Sequence, residues 1–186
     1  MKVHLSRHAQ AQHNVDGVFA GNALLSKLTE EGRQEAQVRG EKLSETHHID
    51  LIVYSYLTRS QETAEIITQA YRNKEKTIPG MATELLNEVD EGLFSGKTPA
   101  EARIINNHAL EVFLEGKEED WAFPEGESGL DLGKRAEEFL AFLATHPHQE
   151  VLVVGHSLFN RFILKQVGIL PPVEWGHEMI VSFDLS

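Results

Sequence analysis

Four positions in the sequence place chemically active side chains directly after segments typical of buried strands. Arg7 and His8 follow the segment KVHLS, and Arg59 follows DLIVY by a few residues. Glu88 follows a third extended stretch, and His156 follows EVLVVG. A guanidinium matches phosphate oxygens, a neutral imidazole can attack phosphorus, a second imidazole can stabilise the transition-state oxygens, and a carboxyl group can protonate a leaving alkoxide. Together these side chains predict phosphoryl transfer from a phosphomonoester.

Each of these features also has a simple structural interpretation. Arg7 and His8 could be solvated loop residues, and Glu88 has acidic neighbours at Glu84 and Glu91. An arginine in the first turn of a helix runs against the helix dipole, but exposed arginines tolerate that position. The interpretation as a site therefore depends on all four features falling at strand ends of one fold.

The elements that must position these residues alternate between strands and helices. The apolar patterns predict strands near 2–6, 50–54, 77–86, 150–154 and 179–185. They predict helices near 29–46, 55–71 and 99–114. A fourth helix is expected to begin at a capping box formed by Ser128 and Asp131, and a fifth to run from His156 to about Val167. A loop with two glycines spans 88–96, and an acidic, irregular stretch at 115–129 is expected to lie on the surface.

This alternation predicts an α/β fold, a three-layer α/β/α sandwich with a mixed, mostly parallel sheet, in a single domain over residues 1–186. Ligands of such folds bind beyond the carboxyl ends of the strands, so the four features should meet at one edge of the sheet. The helices that begin after Ser55 and Gly155 are expected to direct backbone N–H groups at the same anion.

The composition limits the possible partners. The 186 residues carry a formal net charge of -12, with 41% hydrophobic and 25% charged residues. Nucleic acids and anionic membranes bind to basic surfaces, so neither is expected as a partner. A small anionic substrate requires only a local convergence of arginines. The sequence contains no signal for the oligomeric state.

Metal sites, disulfides and a membrane anchor are not expected either. The chain has no cysteine, no apolar run near the ~20 residues of a membrane-spanning helix and no signal-peptide pattern, so the expected location is the cytoplasm. No metal or cofactor is expected, because arginines can supply the positive charge. The remaining histidines show no metal-ligand spacing on one helix face and are interpreted as surface or core residues. They are His4, His13, His47, His48, His108, His146, His148 and His177. Among them, His13 is a candidate contact at the rim of the site.

The motifs resemble those of the histidine phosphatase superfamily, which includes the cofactor-dependent phosphoglycerate mutases. The matching segments run through nearly the whole chain in the family's order: RHAQ at 7–10 with Asn14, FAG at 19–21, SYLTRSQETA at 55–64, LNE at 86–88 with Gly92 and Gly96, and VLVVGH at 151–156 with Arg161. Ala9 and Ser157 stand where the family usually has glycine.

The resemblance implies a role for each matched residue. His8 is the nucleophile, Glu88 is the proton donor in preference to Glu84 and Glu91, and phosphate is bound by Arg7, Asn14, Gly21, Arg59, His156 and Ser157. The expected reaction is hydrolysis of a small phosphorylated metabolite through a phosphohistidine on His8, with that metabolite or free phosphate as ligand.

Phosphatase activity is preferred to mutase activity because of the region after the acid loop. Mutases carry there a long insertion with paired arginines and a lysine, whereas residues 97–129 contain Lys97, Arg103 and Lys117 and no adjacent arginines. The acidic stretch EGKEEDW at 115–121 would repel a bisphosphate. Trp121 and Phe123 are predicted as local core, with a pocket lid as the alternative. Three other functions stay open: a mutase, a non-catalytic phospho-ligand binder and a phosphohistidine-protein phosphatase.

Overall fold

The computed structural model describes residues 1–22, 25–115, 120–172 and 175–185. Lys117 and the residues beside it in the acidic stretch lie outside the described residues. In the described part of the chain, no helix is long and apolar enough to cross a membrane.

A five-stranded sheet forms the centre of the fold. Its strands are β1 (Lys2–Arg7), β2 (Leu51–Tyr54), β3 (Gly80–Ala82), β4 (Glu150–Gly155) and β5 (Ile180–Asp184). They lie in the order β3-β2-β4-β1-β5, and only β5 runs antiparallel to its neighbour. The mixed, mostly parallel sheet of the sequence prediction is confirmed. The two central strands β1 and β4 pair in register, which brings Arg7 opposite Gly155.

Helices cover both faces of the sheet because the strands are apolar on both faces. They are α1 (Gln12–Asp16), α2 (Glu30–Thr46), α3 (Thr58–Arg72), α4 (Pro99–Leu114), α5 (Gly129–Ala144) and α6 (Ser157–Gln166). On one face, Ile52 and Leu152 pack with Leu43 of α2 and Ile67 of α3. On the other face, alternate strand residues such as Val153 join a core with residues of α4, α5 and α6. This arrangement confirms the α/β sandwich.

The predicted helix starts have the expected capping geometry. Thr29, Thr98 and Ser128 each accept a hydrogen bond from a backbone N–H of the first turn. Thr98 and Ser128 form capping boxes with Glu101 and Asp131. These local hydrogen bonds satisfy N–H groups that a helix cannot pair internally, which is why the patterns are readable in the sequence.

Several predicted boundaries are wrong. The third strand covers only Gly80–Ala82, because the chain turns after Thr83 into a 3₁₀ turn, Glu84–Leu86, in which the Thr83 hydroxyl accepts the Leu85 N–H. The second predicted helix begins at Thr58 instead of Ser55, and the short helix α1 was not predicted.

The irregular stretch before α5 is anchored to the core by two aromatic side chains. Trp121 and Phe123 are buried and pack against each other and against Phe113 of α4. The prediction of local core is confirmed for this pair, while Asp120, Ala122 and Glu125 around them are exposed, as predicted for a surface stretch. Gly92 of the acid loop approaches this stretch so closely that a Cβ there would collide with the carbonyl of Pro124. The two loops therefore support each other.

Candidate active site

A cavity of about 310 Å³ opens beyond the carboxyl ends of the central strands. Its lining includes all but one of the site residues predicted from the sequence: Arg7, His8, Asn14, Gly21, Arg59, Glu88 and Ser157. The remaining predicted residue, His156, has its ring centroid 5.2 Å from that of His8. The parallel strands thus bring residues from distant parts of the chain to one edge of the sheet, as expected for this class of fold.

His8 is held as a neutral imidazole with a defined tautomer. Its Nδ1 lies 2.7 Å from the backbone oxygen of Ala9, and because a carbonyl only accepts, Nδ1 must carry the proton. The other nitrogen, Nε2, therefore has a free lone pair. Burial is the main cause that holds the pKa of His8 well below its usual value of 6.5, followed by the proximity of His156 and of the charged Arg59. Such an imidazole can act as a nucleophile at neutral pH.

His156 has the complementary arrangement. Its Nε2 lies 2.7 Å from the hydroxyl of Ser55, and that hydroxyl oxygen already accepts the backbone N–H of Leu57. The Ser55 hydroxyl can donate its proton to Nε2, which places the proton of His156 on Nδ1, a buried atom with no partner among the described residues. Burial, followed by Arg59 and Arg7, lowers the pKa of His156 well below its usual value. His156 can therefore donate a hydrogen bond next to His8 without carrying a charge.

Arg59 is buried and Arg7 is half-buried, and both have unused donors. Arg7 donates from Nη1 to the carbonyl of Trp175, and Arg59 donates from Nη2 to the carbonyl of Gly21. Nε of Arg7 and both Nε and Nη1 of Arg59 are buried, and within the described part of the chain they have no partner. Burial lowers the pKa of Arg59 to about 10, so it is still charged at neutral pH. Buried donors without partners are costly, and an anion in the cavity would satisfy them.

Glu88 is fixed by backbone N–H groups. Its carboxylate accepts hydrogen bonds from its neighbour Val89 and from Leu158 and Phe159 in the first turn of α6, at 3.0 to 3.2 Å. The expectation that the first-turn N–H groups of α6 point at the substrate is therefore wrong at these two positions. They hold the candidate proton donor instead, as helix N-termini commonly hold carboxylates.

Arg135 of α5 anchors the loop that carries Glu88. Its guanidinium forms a two-point contact with the carboxylate of Glu127 and donates to the carbonyls of Leu85 and Asn87, the latter at 2.6 Å. It also lies 4.3 Å from the ring centre of Phe159. A planar guanidinium suits this combination of contacts, which a lysine could not reproduce.

Comparison with known proteins identifies the family of the chain. A sequence profile of the histidine phosphatase superfamily (branch 1) matches residues 3–182. The chain belongs to this superfamily. The adenosylcobalamin/alpha-ribazole phosphatase of Escherichia coli strain K12 is 28% identical over 180 residues, 94% of this chain and 83% of that protein. A 2,3-bisphosphoglycerate-dependent phosphoglycerate mutase of Bartonella henselae is 32% identical over 193 residues, 98% of this chain and 86% of that protein.

Solved structures of the superfamily show the same fold. The structure of Bacillus stearothermophilus YhfR superposes with a TM-score of 0.83 at 27% identity, covering 98% of this chain and 90% of that one. Relatives of this superfamily member therefore include both phosphatases and mutases. The comparisons establish the family.

Ala9 and Ser157, the two residues that differ from the usual sequence motifs of the superfamily, cause no strain. Ala9 is fully buried, donates its N–H to the hydroxyl of Thr63, and packs its methyl group in a small cluster with Ala11 and Ala36. Ser157 is the first residue of α6 and lines the cavity. An added methyl group is therefore accommodated by packing, and an added hydroxyl by the cavity.

Asn14 and His13 form a connected pair at the cavity wall. The Asn14 side-chain oxygen accepts the Ala11 N–H and caps α1, while its nitrogen lies 3.0 Å from Nε2 of His13. Nδ1 of His13 lies 2.9 Å from the Ser26 hydroxyl, and burial is the main cause that lowers its pKa to about 3. Instead of a rim contact, His13 is thus a neutral, largely buried residue of the cavity wall, and Asn14 is held in place by the protein.

Glu91 is a second carboxyl group at the site, whose role sequence reasoning did not find. It is 8% exposed, lines the cavity, and has one carboxyl oxygen with no partner among the residues that the structure describes. Burial, followed by the charge of Glu88, raises its pKa to about 8 despite the proximity of Arg59. Glu91 is therefore protonated at neutral pH. The family motif identifies only Glu88 as a catalytic carboxyl group, and the sequence does not show that this loop is buried.

Proposed function

We propose that the protein is a metal-independent phosphomonoesterase that hydrolyses a small phosphorylated metabolite through a phosphohistidine on His8. The observation that carries this proposal is the set of buried donors on Arg7, Arg59 and His156, which no described residue pairs, close to the free nitrogen of His8. A phosphomonoester has about two negative charges near neutral pH and several acceptor oxygens, so it complements these donors.

The proposed reaction proceeds in two steps. In the first step, Nε2 of His8 attacks phosphorus and the bond to the leaving oxygen breaks, while Glu88 in its acid form gives that oxygen a proton. In the second step, Glu88 takes a proton from water, the oxygen of that water attacks phosphorus, and the bond between phosphorus and Nε2 breaks. Arg7, Arg59 and His156 stabilise the phosphoryl oxygens in both transition states.

Hydrolysis is preferred to mutase activity because the cavity offers few cations beyond those that bind one phosphate group. Its described lining contains the arginines Arg7, Arg59 and Arg161 and no lysine. A bisphosphate-dependent mutase must hold a second phosphate group next to the first. The substrate is therefore expected to be a monophosphate.

The proposal can be tested by trapping the phosphoenzyme. With an aryl phosphate as substrate, we expect turnover and a phosphorylated protein that is stable in base and labile in acid. His8→Ala should abolish both, and His108→Ala, which removes an exposed histidine, should change neither. Turnover that persists in His8→Ala would refute the covalent mechanism. Phosphate binding without turnover in the wild-type protein would identify a phospho-ligand binder.

A panel of substrates separates the remaining functions. It contains α-ribazole phosphate and 3-phosphoglycerate, which the names of the relatives suggest, together with sugar monophosphates and a phosphohistidine peptide. Release of inorganic phosphate from a small monophosphate supports the proposal. Isomerisation of phosphoglycerate that depends on 2,3-bisphosphoglycerate would replace it with mutase activity, and a preference for the peptide would identify a protein phosphatase.

A further inference from the structure

Three potential metal ligands meet on the α2/α3 face of the sheet, near the start of β1 and β4. His4 lies on β1, Glu150 begins β4, and His47 follows the last residue of α2. One nitrogen of each histidine and one oxygen of Glu150 all lie within 4.8 Å of one another. Among the described residues, this is the one such group of three. His4 precedes His8 by four residues on an extended strand, so roughly 13 Å separates this cluster from the nucleophile.

We propose that His4, His47 and Glu150 bind a zinc ion, with water as the fourth ligand. Two imidazole nitrogens and one carboxylate oxygen are a common ligand set for zinc with one open position. Zinc bonds of about 2.0–2.2 Å place tetrahedral ligand atoms roughly 3.4 Å apart. The distances in the cluster therefore need to change by little more than about 1 Å.

The surrounding hydrogen bonds select the nitrogen of His47 that can bind metal. The Thr46 hydroxyl donates to the carbonyl of Lys42, so its oxygen accepts the proton of His47 Nδ1 at 2.7 Å. This leaves the lone pair of His47 Nε2 without a proton. Histidine ligands of metals usually have their other nitrogen bound in this way by an outer group.

His4 can change its tautomer to bind the ion. Its Nε2 lies 2.9 Å from Glu150 Oε1, and its Nδ1 lies 2.7 Å from the hydroxyl of Ser182. Without metal, Nε2 donates to the carboxylate and the serine donates to Nδ1. With metal, the proton moves to Nδ1 and the serine oxygen accepts it, so Nε2 and Glu150 both become ligands. A serine serves both states because its hydroxyl both donates and accepts.

An ion can reach the cluster from the surface. A groove of about 840 Å³ runs between α2 and β5, and His47, Thr46 and Ser182 are among its lining residues. The groove also contains three glutamates, Glu31, Glu35 and Glu178, against Lys42 and Arg39. Its wall is thus acidic overall, which favours the entry of a cation. Lys2 carries a positive charge near His4 that would repel a cation, but its side chain is exposed to solvent.

The proposal is independent of the catalytic function, because it uses none of the residues of the active site. Its test measures zinc bound to the full chain after dialysis against zinc and then buffer, together with the visible spectrum of the Co²⁺ form. We expect one ion per chain and the strong absorption bands of tetrahedral Co²⁺. His47→Ala and Glu150→Gln should lower the affinity by at least about 100-fold, and Ser182→Ala by about 10-fold.

Matched controls separate this cluster from other histidines. His48→Ala removes the exposed neighbour of His47, and His148→Ala removes a histidine 3.4 Å from Asp50 near the cluster. His8→Ala removes the central histidine of the active site. All three variants should retain one ion with unchanged affinity. Loss of zinc in His8→Ala with retention in His47→Ala would place the ion in the active site and overturn the proposal, as would a wild-type protein that binds no zinc.

Discussion

Replacing Glu91 with glutamine should stabilise the protein in a manner that depends on pH. The pKa of Glu91 is raised from 4.5 to about 8 in the folded protein, mainly by burial. The folded state therefore binds this proton more tightly than the unfolded chain does. This contribution to stability is fully present below pH 4.5 and is lost as the pH rises toward 8.

The size of the effect follows from the two pKa values. Each pH unit above 4.5 costs the wild-type protein about 1.4 kcal/mol of unfolding free energy until the folded group ionises. Relative to Glu91→Gln, which has no titrating proton, the cost is near zero at pH 4.5, about 3 kcal/mol at pH 7 and about 5 kcal/mol above pH 8. With 8% of Glu91 exposed, solvent screening reduces this little.

The measurement is urea denaturation of the wild-type protein and the variant at a series of pH values from 4.5 to 9. We expect the difference in unfolding free energy to grow with pH in favour of the variant. The control variant is Glu84→Gln, which removes the exposed carboxylate at the start of the 3₁₀ turn Glu84–Leu86. It should change the unfolding free energy by less than about 0.5 kcal/mol at every pH. A difference that is constant with pH, or one that favours the wild type above pH 7, would refute the assignment of a protonated Glu91.

Three further substitutions test the assigned roles. Glu88→Gln should lower kcat by about 100- to 10,000-fold, most for substrates with poor leaving groups, whereas Glu91→Gln should leave this leaving-group dependence unchanged; equal losses in both variants would contradict the choice of proton donor. Arg59→Lys should lower kcat/KM at least about 10-fold although the charge is kept, because lysine cannot replace the guanidinium donors; wild-type steady-state kinetics would contradict this. Arg135→Met should reduce the unfolding free energy by about 2 kcal/mol and lower kcat more than it changes KM, because the Glu88 loop loses its contacts to a charged group; an unchanged kcat would show that the loop is held without it.

The parts of the site that follow the central strands were predictable from the sequence. VLVVG and KVHLS are apolar enough to identify buried strands, and His8 and His156 come directly after them. Because the carboxyl ends of parallel strands share one edge of the sheet, both histidines were expected at that edge, and the pairing of β1 with β4 makes them neighbours there. Arg59 followed from the same argument, although its helix begins three residues later than predicted.

The parts that depend on contacts between loops were not predictable. The hydrogen bonds from α6 to Glu88, the bond between Ser55 and His156, and the burial of Glu91 all join segments far apart in the sequence. The boundaries of β3 were wrong because only Gly80–Ala82 pair with β2 and the chain turns after Thr83 into a 3₁₀ turn. The cluster of His4, His47 and Glu150 was missed because its members come from three different elements and share no helix spacing.

The pairing of β1 with β4 determines the order in which the catalytic groups lose their positions as the protein opens. His8 and His156 follow the two central strands, which are paired in register and covered on both faces, so their backbone can exchange with solvent only when most of the fold unfolds. Glu88 lies between two 3₁₀ turns and can be released by a local opening. On warming, the enzyme should therefore lose protonation of the leaving group before it loses the nucleophile. Hydrolysis of alkyl phosphates, which need that proton, should then decline at a lower temperature than hydrolysis of activated aryl phosphates.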